Sequence, residues 1–162
     1  MAIKINTEDL ASFRKIFLNQ NIGFTCSCWD LLHAGHNLFL KDCKANSQIL
    51  IVGLQTDPTI DRPEKNKPVQ SFLEREIQVQ SCRWIDYYFV YDTEENLYTS
   101  IKSLSPNIRF LGDDYVGKKF TGSDLDIEIY YHKRSEHNFS TTNLRKIIYE
   151  KEKNKNNNNN NK

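Results

Sequence analysis

The chain has 162 residues, enough for one domain with a sizeable core. Its 22 Lys and Arg against 21 Asp and Glu leave a formal net charge of +1, which makes no electrostatic case for nucleic acid or an anionic bilayer as partner. No apolar run approaches the roughly 18 residues of a membrane-spanning helix, and Met1-Ala2-Ile3-Lys4 lacks the apolar core of a secretion signal, so no membrane insertion and a cytoplasmic location are expected.

Thr7-Glu8-Asp9 offers a cap and an acidic first turn, and Leu10, Phe13 and Phe17 follow at helical spacing. Residues 1–20 read as a helical extension packed outside the core motif. Ile22-Gly23-Phe24-Thr25-Cys26 is a short apolar strand. The elbow Trp29-Asp30-Leu31-Leu32, then His33-Ala34-Gly35-His36, lead into a helix over 37–45. Gln48 to Gln55, with Ile49-Leu50-Ile51-Val52, reads as a buried parallel strand. Residues 56–70 are rich in Asp, Pro and Lys and form a long loop, a length often used for function. Ser71-Phe72-Leu73-Glu74 has the capping-box pattern, which starts a helix running to about Arg83.

Tyr87 to Tyr91 is a short aromatic strand. Thr93 can cap a helix with Leu97, Ile101 and Leu104 on one face, ended before Pro106. Ile108 to Leu111 is a strand, and Ile127-Glu128-Ile129-Tyr130 alternates as a later strand nearer the sheet edge. Ser140 or Thr141 caps a last helix whose Leu144, Ile147 and Ile148 share an apolar face. From Lys151 the chain turns Lys- and Asn-rich, so residues 151–162 are expected to be a disordered tail. Strands alternating with helices imply an α/β fold: a doubly wound, Rossmann-like parallel sheet with helices on both faces, whose ligands bind beyond the carboxyl ends of the strands. Cys26, Cys28, Cys43 and Cys82 lack further metal ligands at suitable spacing and read as reduced, structural thiols.

His33-Ala34-Gly35-His36 carries the most chemistry. A strand that turns into a helix beside a glycine holds anions well, because free backbone N–H groups and the helix dipole face the ligand. Two imidazoles at that point can donate hydrogen bonds to phosphate oxygens. The plain alternative is a polar helix entry. The surroundings favour the first reading. Asp30-Leu31-Leu32-His33-Ala34-Gly35-His36 resembles the signature of the cytidylyltransferase-like nucleotidyltransferases, the HxGH superfamily. Thr56-Asp57, Lys65-Asn66-Lys67-Pro68 with Glu74-Arg75, Arg83-Trp84-Ile85-Asp86, Leu111-Gly112-Asp113-Asp114-Tyr115, Arg134-Ser135-Glu136 and Ser140-Thr141-Thr142 resemble further family segments in the expected order. The resemblance spans residues 21–150 and is nearest to the glycerol-3-phosphate cytidylyltransferases.

The resemblance implies attack by a substrate phosphate oxygen on the α-phosphorus of CTP, with pyrophosphate leaving. It places His33 and His36 on the triphosphate as catalytic donors. Lys67, or Lys65, neutralises phosphate from a mobile loop. Arg83 takes part in binding anionic substrate or product; a surface ion pair with Asp86 or Glu76 is its plain alternative. Cys28 and Trp29 stand at the nucleotide wall, Asp114 and Tyr115 line the nucleotide pocket, and Arg134 with Ser140, Thr141 and Thr142 holds the phosphates. Mg2+ is expected to arrive with the nucleotide, with no protein metal cage. A homodimer is expected. His132 and His137 are read as outside the chemistry.

One departure stands out. The family's Gly-x-Phe-Asp is Ser27-Cys28-Trp29-Asp30 here, and glycine lets a ligand approach the backbone closely. Rival readings are a phosphoethanolamine or phosphocholine cytidylyltransferase, a sugar-phosphate adenylyltransferase using ATP, and a catalytically weak nucleotide-binding protein.

Overall fold

A computed structural model describes residues 1–137 and 139–159. Its centre is a six-stranded sheet in the order β1-β4-β3-β2-β5-β6, from β1 (Ile3–Lys4), β2 (Ile22–Ser27), β3 (Ile49–Gln55), β4 (Tyr87–Tyr91), β5 (Ile108–Gly112) and β6 (Glu128–His132). Every pairing is parallel. β3 is buried throughout, as its unbroken apolar run requires. Its alternate residues serve opposite faces. Leu50, Val52 and Leu54 join the cluster with Leu40 and Val79, whereas Ile49 and Ile51 join Leu10, Phe13, Leu97 and Ile101. Helices α2 (Ala34–Ala45) and α3 (Phe72–Ser81) therefore cover one face; α1 (Leu10–Ile16) and α4 (Glu94–Leu104) cover the other. The fold is doubly wound.

The winding creates the site. From β2 the chain steps outward to β3 and β4 on one side, then crosses back to β5 and β6 on the other. Neighbouring strands β2 and β5 thus send their connections in opposite directions, and a crevice opens beyond their carboxyl ends.

Local signals explain the helix boundaries. Ser71 Oγ accepts from the Glu74 N–H at 3.3 Å while Glu74 Oε2 accepts from the Ser71 N–H at 2.7 Å, a reciprocal capping box that starts α3. Thr93 Oγ1 caps α4 on the Asn96 N–H at 3.2 Å. α2 begins at Ala34, three residues before its expected start, because His33 itself caps it. The long loop contains a short 3-10 turn, Pro58–Ile60, pinned by Asp57 Oδ1, which accepts from the Thr59 N–H at 2.9 Å.

Two expectations need correction. Residues 1–20 are not an outlying helical extension. Ile3 and Lys4 pair with Tyr87 and Tyr88 as an edge strand. Ala2, Ile5, Leu10 and Phe13 are buried in the core, and the Phe13 ring meets Tyr87 edge-on at 4.8 Å. Thr7 opens a 3-10 turn, Thr7–Asp9, without capping it by its side chain. The Lys/Asn-rich stretch also differs from a disordered tail: α5 runs Thr141–Asn159, with residues 160–162 outside the described residues. Once the first turns are nucleated, each added residue gains a hydrogen bond at low cost, and no Gly or Pro follows to end the helix. Lys146 and Glu150, at i,i+4 spacing 3.9 Å apart, add a little more.

Candidate active site

The crevice is a cleft of about 660 Å³. Its cationic lining residues are Arg62, Lys65, Arg109, Lys119 and Arg134, against the carboxylates Glu64 and Glu94. A nearly neutral chain has concentrated positive charge in this cleft, which suits an anionic ligand.

On the α2 face, the turn after β2 is built with strain. Trp29 and Leu31 both have positive φ, 53° and 48°, a conformation costly for residues with a Cβ. Three anchors hold it. Trp29 Nε1 donates to the Gly53 carbonyl at 2.9 Å. The Leu31 N–H donates to Gln70 Oε1 at 2.6 Å. The buried Asp30 carboxylate accepts from the Val69 N–H and the Gln70 N–H, each at 3.0 Å. Arg75, only 2% exposed, ties this turn to β3. Its Nη1 donates to the carbonyls of Cys28 at 2.8 Å and Gln55 at 2.7 Å, its Nη2 to that of Thr56, and its Nε to that of Gln70 at 3.3 Å.

The histidine pair is part of this frame. His33 Nδ1 accepts from the Gly35 N–H at 3.0 Å, and His36 Nδ1 accepts from the His33 N–H at 3.4 Å. With both Nδ1 atoms accepting, a neutral ring carries its proton on Nε2. Both rings are held neutral. Burial, then repulsion between His33 and His36 when both would be protonated, and the charge of Arg134, push His36 down to about 3. Burial and Arg134 also lower His33. The rings stack 4.1 Å apart, and His33 Nε2 lies 3.3 Å from Thr141 Oγ1.

The α5 start closes this lobe. Ser140 Oγ accepts from the Asn143 N–H at 3.1 Å, so Ser140 is the cap and the Thr141 hydroxyl is left facing His33 and the Asp30 carbonyl. Gly35 permits the approach, since a Cβ there would lie 3.0 Å from the Phe139 carbonyl oxygen. Gly112 acts alike at the end of β5, where a Cβ would collide with Asp114 Oδ1 and come within 2.7 Å of Arg134 Cδ.

The cleft thus brings together most of the residues singled out from the sequence: Cys28, Trp29, His33, His36, Lys65, Tyr115, Arg134, Ser140, Thr141 and Thr142. Three fall outside its lining. Lys67 is 79% exposed and pairs with Asp57 at 3.8 Å; the loop turns its side chain away and leaves Lys65 in the cleft. Arg83 follows α3 on the outer surface, with its guanidinium 4.8 Å from the Trp84 ring centroid. The ion-pair alternative does not form either: Asp86 binds Lys44 at 2.6 Å and Glu76 binds Lys4 at 2.8 Å. Asp114 is outside the lining and pairs with Arg134 of the cleft at 3.4 Å. His132, bonded to Asp42 at 2.6 Å, lies behind α2.

Sequence reading missed the far side of the cleft: Gln55, Arg62, Glu94, Arg109 and Thr121. A signal existed for Arg109, a lone charge inside the apolar run Ile108-Arg109-Phe110-Leu111 of a central strand.

A doubly wound sheet with a donor-rich, cationic cleft at its switch point defines an α/β protein with a site shaped for an anionic ligand. The Cytidylyltransferase-like family model matches residues 24–156, and the chain belongs to that family of nucleotidyltransferases. It is similar to the bifunctional protein HldE of Wolinella succinogenes (38% identical over 68% of the chain) and of Aliarcobacter butzleri (33% over 83%). The matched parts are 23% and 28% of those proteins, so the chain spans about a quarter of the length of the curated relatives it matches. Among solved structures it resembles the lipopolysaccharide core biosynthesis protein of Thermoplasma volcanium, with TM-score 0.60 and 20% identity over 71% of this chain and 98% of that one. It also resembles a pantoate-beta-alanine ligase of Francisella tularensis complexed with beta-gamma ATP and beta-alanine, with TM-score 0.58 and 19% identity over 90% and 76%. These two likenesses show the fold. No helix among the described residues is long and apolar enough to cross a membrane.

Proposed function

We propose that the protein transfers a nucleotidyl group from a nucleoside triphosphate to the phosphate of a small phosphorylated molecule. One observation carries this: two imidazoles whose Nδ1 atoms are engaged by backbone N–H groups, a helix N-terminus and Arg134 converge on one lobe of the cleft. An acceptor phosphate oxygen attacks the α-phosphorus, a new P–O bond forms, and the bond to the bridging oxygen of pyrophosphate breaks. The protein has to align two anions and stabilise charge on the phosphoryl oxygens. Neutral histidines suit that role, because they donate without needing a proton from solvent. Lys65 and Arg134 add positive charge, and the Thr141 hydroxyl and free N–H groups of α5 receive phosphate oxygens. Magnesium arrives with the triphosphate as part of the substrate.

We favour ATP as the donor. Support comes from the fold neighbour bound to beta-gamma ATP. The CTP reading rests on the resemblance of the Gly112-Asp113-Asp114-Tyr115 and Arg134 to Thr142 segments to cytidylyltransferases, with glycerol 3-phosphate as its acceptor. Thermal shift with Mg-ATP and Mg-CTP separates the two, since the specific nucleotide stabilises the fold by mass action. A larger shift with CTP overturns the ATP choice. Pyrophosphate release against a panel of small phosphates tests transfer itself. Nucleotide binding without release from any pairing leaves a nucleotide-binding protein and sinks the enzyme reading.

We also propose a homodimer through the surface carrying Arg83, Trp84 and the exposed Leu73 and Ile77 of α3. Sedimentation of a monomer at micromolar concentration refutes it.

A further inference from the structure

We propose that Asp42 on α2 and His132 at the end of β6 are positioning residues for nucleotide binding: their bond fixes where the chain leaves the sheet and so places Arg134 at the cleft. This rests on the transfer reading only in taking phosphate as the group that Arg134 receives.

β6 needs an anchor from outside the sheet. It is an edge strand paired with β5, in a register that ends with Gly112 opposite His132. The end of an edge strand opens easily, because one side of its backbone has no partner. Directly beyond it the chain enters the 3-10 turn Arg134–Glu136, closed by the His137 N–H on the Arg134 carbonyl at 3.1 Å. A shift of His132 therefore carries Arg134, two residues on, with it.

Asp42 supplies the anchor. Residues 130 and 132 share one face of β6, and both reach this one carboxylate. His132 Nδ1–H donates to Asp42 Oδ2 at 2.6 Å, and the Tyr130 hydroxyl donates to Oδ1 at 3.3 Å. Asn46 Nδ2, at the end of α2, holds the same Oδ1 at 3.2 Å, so the acceptor is itself fixed. The His132 ring leans on Phe39, with centroids 5.4 Å apart. His36, Phe39 and Asp42 follow at i,i+3 spacing, which makes them neighbours along α2. One helix thus carries a cleft-facing imidazole on its first turn and the anchor of the opposing segment further along.

The bond to Asp42 is what the imidazole adds at this place. The His132 side chain is 13% exposed, and its Nε2 is buried without a hydrogen-bond partner among the described residues. Taking such an atom out of water lowers stability. A phenyl ring at 132 would avoid that loss and fill the same space against Phe39, but it would not bind Asp42. The far end of the segment returns to the same helix, where the Thr141 hydroxyl meets His33 Nε2 at 3.3 Å. Between the two ends the Arg134 side chain crosses Gly112, where a Cβ would lie 2.7 Å from Arg134 Cδ, and its guanidinium pairs with Asp114 at 3.4 Å. Arg134 is thus held at its backbone by His132 and at its tip by Asp114.

The test is titration calorimetry of the whole chain with Mg-ATP, Mg-CTP and pyrophosphate. His132→Phe keeps the ring and deletes the bond. It should raise Kd for the tighter nucleotide at least about fivefold while the protein melts close to the wild-type temperature, because the orphaned Nε2 has gone. Asp42→Ala should do the same to Kd, and Asp42→Asn, which keeps an acceptor, should recover most of the loss. In an Arg134→Gln background His132→Phe should have no further effect, since residues that act through one another are not additive. Lys44→Met removes the other ion pair of α2, Lys44 with Asp86 at 2.6 Å, and should leave Kd unchanged. If His132→Phe fails to fold, the two Asp42 variants decide by the same comparisons. A change in Kd below about twofold overturns the role of the pair, and so does an equal effect with and without Arg134. An equal effect of Lys44→Met also overturns it. If the Kd effects appear but no acceptor releases pyrophosphate, the pair stands and transfer falls. If pyrophosphate is released and His132→Phe leaves Kd unchanged, transfer stands and the pair falls. If none of the three ligands binds the wild type, both fall.

Discussion

The two lobes of the cleft are built by opposite strategies. The histidine lobe is local: His33 and His36 sit within one turn, and their Nδ1 atoms are consumed by backbone N–H groups of that same turn. The arginine lobe is assembled at long range, since Gln55, Arg62, Glu94, Arg109 and Thr121 come from five separate segments. A local motif fixes donor direction through backbone geometry. A long-range wall fixes shape and charge through side chains that lie near one another only once the sheet has formed.

The largest expected effect falls on the local lobe. His36→Ala should lower turnover at least about a hundredfold, the scale of removing a donor aimed at transition-state charge. Because His36 also accepts from the His33 N–H, the variant should lose about 1 kcal/mol of stability as well, the scale of a helix cap. Near-normal pyrophosphate release by a folded variant would remove His36 from the chemistry. The neutral state has its own signature. A folded-state value of about 3 against an ordinary 6.5 means that the unfolded chain binds the proton more readily. Stability from this group is therefore complete above about pH 6.5 and is lost as pH falls towards 3. His36 ring resonances should not titrate between pH 8 and 5; titration near 6.5 in NMR would contradict the buried, donor-fixed ring.

Arg75 joins the two lobes, binding the Cys28 carbonyl beside one and the Gln55 carbonyl beside the other. Arg75→Met leaves buried carbonyls without donors and should cost roughly 2 kcal/mol in urea unfolding. An unchanged midpoint would mean that the turn after β2 is held by Trp29 and Asp30 alone.

The contrast between lobes also explains what could be read beforehand. The alternating elements, the capping boxes at Ser71 and Thr93 and the His33–Gly35–His36 turn are encoded within a few residues, so they were legible. β1 was not, because two residues, Ile3 and Lys4, become a strand only when the edge of β4 is there to receive them. Nor did the sequence separate Lys65 from Lys67, whose difference is the path of a loop, or reveal that Arg83 faces outward after α3 ends at Ser81. Residues 151–159 look disordered by composition, yet they extend a helix nucleated upstream.

That loop path yields a smaller effect. Lys65→Ala should lower kcat/KM about tenfold by removing a charge beside the triphosphate. Lys67→Ala should change it less than about twofold, because its partner Asp57 is a surface ion pair. Steady-state kinetics with Mg-ATP and the best acceptor of the panel checks both. The reverse order would mean that the loop rearranges when nucleotide binds.

The smallest expected effect concerns the departure at Ser27. Its side chain lies at the seam between the lobes, where glycine would leave room for nucleotide. There its hydroxyl has a modest local partner, since Ser27 Oγ accepts from the N–H of Trp29, whose backbone is left-handed, at 3.4 Å. A hydrogen bond of that length is weak. Ser27→Gly therefore loses little from the bond itself and roughly 0.5–1 kcal/mol from the added freedom of a strand glycine. KM for nucleotide should move less than about twofold, because Trp29 is also held through its indole to Gly53. A tenfold fall in KM would show that the hydroxymethyl group obstructs the nucleotide. A tenfold rise would show that Oγ leaves Trp29 and bonds the ligand, which would make the seam itself part of recognition.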